Sequence, residues 1–218
     1  MEEKIKSIVQ KRYMIDTLNK KVNILLLGPD EGENSQVKLS TYKSYASSLE
    51  PISKIESYKS SYDKYDKLPI NQNIVLLSAH NTIFESRQSR LPSESIISFY
   101  KSKFMLKGIS DVVNFNILPN DKPNIIAIVL NGLKEVVNIG RFKICLQEYK
   151  NKGIFYPHII ITHGDALTFR EAIIEKYCIE LEISRSCCHF VSCYMADEWE
   201  SNLEKDMNFL QLIYELIQ

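Results

Sequence analysis

The chain has 218 residues, with 27 basic and 27 acidic side chains and therefore no formal net charge. That length predicts one compact domain with a core large enough to dispense with disulfides and structural metal. A composition of 44% apolar and 25% charged residues excludes wholesale disorder, and neutrality excludes a general nucleic-acid or membrane-surface binder, which needs clustered excess Lys and Arg.

Residues 1–20 read as a charged helix whose apolar contacts are Ile5, Val9 and Met14, packed on a domain formed by residues 21–218. Four continuous apolar runs follow, Val22–Leu27, Ile74–Leu77, Ile125–Leu130 and Ile159–Ile161, with a weaker fifth at Phe190–Val191. Continuous rather than alternating runs are those of strands buried on both faces of a parallel sheet. Helical stripes separate them: Tyr42, Tyr45, Ala46 and Leu49; then Ile96, Ile97, Tyr100 and Phe104, ended by Gly108; then Phe142, Cys145, Leu146 and Tyr149, ended by Gly153. Thr168 with Glu171 has capping-box spacing before Ala172, Ile173 and Tyr177. Asp197 with Glu200 has the same spacing and predicts a last helix with Leu203, Met207, Leu210 and Tyr214 on one stripe and Trp199 in its first turn. This alternation predicts a three-layer α/β domain with a mostly parallel sheet of about six strands.

Residues 50–72 break the rhythm. Six lysines and four acidic residues between Lys38 and Lys67 read as a solvated loop with room for one edge strand. The segment is expected to have the weakest local stability, since little of it can be buried. Charge is uneven along the chain: residues 1–110 carry 17 basic and 12 acidic side chains, and residues 111–218 carry 10 and 15. That asymmetry is compatible with self-association.

Five cysteines, Cys145, Cys178, Cys187, Cys188 and Cys193, form no even framework. The start of the chain is not an apolar leader, and the longest apolar run, Ile125–Leu130, is far short of about 20 residues for a membrane span. The expectation is a reduced, soluble, cytoplasmic chain with no membrane span. Adjacent Cys187 and Cys188 point to opposite faces of a strand and cannot share one tetrahedral ion, so they read as buried thiols. His158 reads as the start of a strand, and no spacing ties Cys193 to His80, His158 or His163.

Ligands of open α/β sheets bind at the carboxyl ends of the strands. After the first strand the chain reads GPDEGENS, residues 28–35. A phosphate-binding loop needs Gly-Lys-Ser/Thr at its end, so that backbone amides cradle the phosphates, Lys reaches the terminal ones and the hydroxyl takes Mg²⁺. Gly28 and Ser35 hold the outer positions, but Glu33 stands at the second glycine and Asn34 at the lysine. Asp30 and Glu31 add carboxylates, and like charges about 4 Å apart repel by about 4 kcal/mol at an effective dielectric near 20. After the next strand, Ser78-Ala79-His80-Asn81 puts Ser78 where a Mg²⁺-side carboxylate is needed. The base-recognition end is better kept. Thr162-His163-Gly164-Asp165 matches an [N/T]-K-x-D segment at Thr162 and Asp165, with His163 for the lysine, and Ser192 lies in the next strand-end segment.

With GPDEGENS, VLLSAHN, IIAIVLNG, IIITHGDAL and FVSCYMADEWESNLEKDMNFLQLI in this order, the chain resembles the G domain of the interferon-induced protein 44-like group of GTPase-like proteins. The resemblance spans most of residues 20–218 and is most specific in the C-terminal third. It implies a P-loop NTPase fold of the Ras-like kind, with Gly28, Ser35, Thr162, Asp165 and Ser192 as vestigial nucleotide-binding positions. The family loop is close to GPxGxGKS, and this chain departs from it at Glu31, Glu33 and Asn34. The expectation is therefore a degenerate G domain, a binding or regulatory module with an unidentified protein partner, no catalytic residue, no metal ligand and no obligatory cofactor. The alternatives are a weak or slow GTPase that takes GTP or GDP with Mg²⁺ through a rearranged loop, and an unrelated α/β enzyme.

Overall fold

The computed structural model describes residues 2–28, 31–47, 51, 54–55, 65–79, 123–134, 139, 143, 146–147 and 157–218. In chain order the elements are α1 (Glu2–Asp16), β1 (Val22–Leu27), α2 (Glu31–Ala46), β2 (Tyr65–Pro69), β3 (Ile74–Ala79), β4 (Ile125–Asn131), β5 (His158–Thr162), α3 (Arg170–Leu181), β6 (Cys188–Phe190) and α4 (Leu203–Ile217). The predicted stripe Ile96–Phe104, and most of that at Phe142–Tyr149, lie outside the described residues, as do residues 56–64 of the predicted loop.

The six strands form one sheet in the order β2-β3-β1-β4-β5-β6. The body from β3 to β6 is parallel, and β2 pairs antiparallel with β3 at the edge. This is the α/β class with a mostly parallel sheet of six strands expected from the apolar runs, with the edge strand where residues 50–72 left room for it. Successive side chains of β1 enter different cores, because a strand turns alternate residues to opposite faces. Ile24 and Leu26 pack with Ile8 and Ile15 of α1, Val37 of α2 and Phe209, Leu210 and Ile213 of α4. Leu25 and Leu27 pack with Tyr177 and Leu181 of α3 and with Leu146. Helices on both faces make the three layers.

Three helix expectations are corrected. On α1 the buried residues are Ile8 and Ile15, whereas Ile5 (46% exposed), Val9 (60%) and Met14 (39%) face outward. Positions 8, 12 and 15 share one helical face, and Arg12 of that face donates to the Ser44 carbonyl at 2.7 Å, so a polar contact selects the docked face. Helix α3 starts at Arg170, with Phe169 at the cap position and no side-chain cap. The Arg170 guanidinium instead donates to the Gly164 carbonyl (Nε, 2.9 Å), Glu171 pairs with Arg185, and Ala172 is exposed. Tyr177 of the predicted stripe is buried and Ile173 half-buried.

Helix α4 is capped by Asn202 rather than Asp197. The Asn202 Oδ1 accepts from the Glu204 and Lys205 amides at 3.0 and 3.2 Å. Trp199 therefore lies ahead of the helix, 55% exposed, with the Lys54 ammonium 4.6 Å from its ring. Replacing Asn202 by alanine should cost about 1 kcal/mol of stability, the usual worth of such a cap. Asp197→Ala should cost none of this, and urea melts of the two variants would reverse the cap assignment if the losses were the other way round.

A buried knot joins the end of β6 to α4. Tyr194 is fully buried; its hydroxyl donates to Asp206 Oδ1 at 2.7 Å and accepts from the Asn202 amide at 2.8 Å. The ammonium groups of Lys43 and Lys205 lie 5.1 and 5.0 Å from its ring. Burial pushes the phenol above its ordinary range.

Candidate nucleotide site

The expected loop starts where β1 ends. A Cβ added at Gly28 would lie 2.3 Å from the Val129 carbonyl oxygen and 2.7 Å from Asn34 Oδ1. Close packing of β1 against β4 and α2 is therefore enough to require glycine, with no phosphate involved. Helix α2 begins at Glu31, so positions 31–35 of the loop are helical, and Ser35 lies inside the helix rather than opening it. Asn34 is 1% exposed, and among the described residues neither atom of its amide has a hydrogen-bond partner. It is packed against Gly28.

Glu33 is 8% exposed. Its Oε1 accepts from Asn131 Nδ2, at the end of β4, at 2.6 Å, and lies 3.2 Å from His163 Nε2, just beyond β5. Asn131 is itself fixed, its Oδ1 accepting from the Leu133 amide at 2.9 Å. His163, the residue at the base-stacking lysine position, has left-handed backbone (φ 57°) and turns its ring to Glu33. A carboxylate thus ties together the ends of β4 and β5 and the start of α2. Beside it, burial and then the Glu33 charge push the Cys193 thiol up to about 12.

The end of β3 is tied to α2 as well. The Lys38 ammonium donates to Ser78 Oγ at 2.8 Å, and both side chains are buried. Buried Glu33, the helical course of residues 31–35 and the Lys38–Ser78 bond do not fit a Mg²⁺–triphosphate group.

At the other end of the site the predicted residues do meet. Ser192 Oγ accepts from the Asp165 amide at 3.0 Å, and its hydroxyl holds the Asp165 carboxyl below the ordinary range. Gly164, buried between them, donates to the Val191 carbonyl at 2.9 Å, and a Cβ there would lie 3.1 Å from Phe190 Cβ. Thr162 is 1% exposed and donates to the Leu130 carbonyl at 3.4 Å, so it braces the β4–β5 pair. Gly28 and Ser35 lie with the Glu33 cluster, apart from the Asp165–Ser192 pair in hydrogen bonding. Asn131 is a residue that sequence reading missed; the available signal was that it ends an apolar run.

No protein-family model matches the chain, and no curated protein does. Among solved structures it is similar to a probable GTP-binding protein, engB, at 9% identity and a TM-score of 0.48, over 88% of this chain and 98% of that one. Among the described residues no helix is long and apolar enough to cross a membrane.

Proposed function

We propose that this chain is a G domain that has lost phosphate chemistry and serves as a binding or regulatory module for a protein partner. One observation carries the reading: the Glu33 carboxylate, buried and held by Asn131 and His163, occupies the loop that would receive phosphate anions. The resemblance to the interferon-induced protein 44-like group supports the same reading, since this chain keeps that pattern best in its C-terminal third and departs from it in the loop. The exposed Trp199 offers an aromatic anchor of the kind that dominates protein interfaces.

A second reading, that a guanine nucleotide is held weakly or hydrolysed slowly, is favoured by the Asp165–Ser192 pair, which leaves an exposed carboxylate beside a fixed hydroxyl at the base-recognition end. Calorimetry separates the two. Loss of two charge-assisted phosphate contacts, each worth roughly 1.5–3 kcal/mol, weakens binding by a factor on the order of 10²–10⁴. GTP with Mg²⁺ is expected to show no dissociation constant below about 1 μM. A tighter constant, or release of inorganic phosphate by the purified protein, would replace the first reading with the second.

A further inference from the structure

The candidate nucleotide site lies at the carboxyl ends of the strands. At their amino ends, on the opposite edge of the sheet, is a cavity of about 610 Å³ whose lining includes Lys20, Lys21, Asn124, His158, Ser186 and Glu215. That volume is in the range of small-molecule sites, roughly 300–1,000 Å³.

A relay of three side chains leads into it. His189 Nδ1 lies 2.8 Å from Glu215 Oε2, and His189 Nε2 lies 2.9 Å from His158 Nδ1. The two ring centroids are 5.1 Å apart with 29° between the planes. A carboxylate only accepts, so His189 donates to Glu215 from Nδ1. A neutral imidazole has one N–H, so His189 Nε2 must accept, and His158 Nδ1 must donate to it. His158 Nε2 is then left without a proton. Burial disfavours the charged form of both rings: His158 is lowered to about 4, with the neighbouring His189 adding to the effect, and His189 is lowered as well, against the pull of Glu215.

The tautomer of a cavity-lining ring is thus fixed from behind by a side chain 7% exposed, and what it offers is an acceptor. An acceptor recognises a hydroxyl or amine donor. Lys20 and Lys21 on the same cavity supply positive charge for an anion. We propose that this cavity is a second, independent binding site, taking a small molecule that carries both an anionic group and a hydroxyl, with His158 Nε2 accepting from the hydroxyl and Lys20 and Lys21 facing the anion. A metal site is a poorer fit, because among the described residues no three His, Cys, Asp or Glu side chains are grouped to hold one.

The test is ¹⁵N NMR of the histidine rings in the full chain, titrated separately with ribose 5-phosphate, citrate, ribose, inorganic phosphate and zinc chloride. In the free protein, His158 should show the bare nitrogen at Nε2; a bare Nδ1 would overturn the relay. Ribose 5-phosphate or citrate should move the His158 Nε2 resonance, and ribose and inorganic phosphate each alone should need at least tenfold higher concentration. Equal response to inorganic phosphate, response to zinc alone, or no response to any probe would overturn the proposal. The Lys20→Ala/Lys21→Ala double variant, altered only at exposed positions, should weaken the effective probe tenfold or more without changing the His158 tautomer. An unchanged affinity would overturn the anion assignment.

Discussion

Lowering the pH from 6.5 toward 4 is expected to destabilise this protein through His158. The folded state holds His158 at about 4, against 6.5 for the free side chain, because burial and the neighbouring His189 oppose its charge. The unfolded chain therefore binds the extra proton first as pH falls. A depressed folded-state value means that the stabilisation is fully present above about pH 6.5 and is lost progressively down to about pH 4. A displacement of this size corresponds to about 3 kcal/mol at 1.36 kcal/mol per unit, and partial solvent access to the ring reduces it to on the order of 2 kcal/mol. His189, also lowered by burial, acts in the same direction. Urea denaturation at pH 7, 6, 5 and 4 should show this acid limb, and His158→Gln should flatten it. The same slope in the variant would remove the histidine pair from the explanation.

Alkylation should pass over two of the cysteines. Burial is the first cause raising both Cys188 and Cys193 to about 12; Cys178 raises Cys188 further, and Glu33 does so for Cys193. At pH 8 each has about 10³ less thiolate than an ordinary thiol, since the thiolate is the nucleophile. The greater intrinsic reactivity of a more basic sulfur returns part of that, leaving roughly 30–100-fold slower reaction. A time course with iodoacetamide, read by mass spectrometry against an unstructured cysteine peptide, checks this. Labelling of Cys193 at the peptide's rate would mean that the segment after β6 opens far more readily than its packing implies.

Strands β1, β3, β4 and β5 were legible because they are largely buried on both faces, so that nearly all their residues are apolar. Val22–Leu27 coincides with β1, and the runs beginning at Ile74 and Ile125 mark the starts of β3 and β4. The ends of helices were less legible, because several residues compete for a cap. Asp197 and Asn202 are both good caps, and the chain uses Asn202 because the knot around Tyr194 fixes its backbone, the Asn202 amide donating to the Tyr194 hydroxyl. On α1, the polar reach of Arg12 to Ser44 decided between faces that the apolar residues alone left ambiguous.

The candidate site divides the same way. Gly28, Asp165 and Ser192 could be placed because each sits a fixed number of residues beyond a strand. The bonds of Glu33 could not, since Asn131 and His163 are 98 and 130 residues away in sequence. Nor could the meeting of Cys178 with Cys188, whose sulfurs lie 3.9 Å apart although one is on α3 and the other on β6. His158 was legible as a strand start, but its ring's partner comes 31 residues later.

Helix α4 covers the apolar faces of α1 and α2, so these helices are completed by one made well over a hundred residues later. A ribosome that has delivered residues 1–200 has made β1 and both helices beside it, yet Ile8, Ile15 and Val37 still lack Phe209, Leu210 and Ile213. Those faces stay open to chaperones, or to another nascent chain, until residues 203–217 emerge. Closing so long a loop is entropically costly and slows folding, so this side of the core should form in one late, cooperative step rather than by gradual growth.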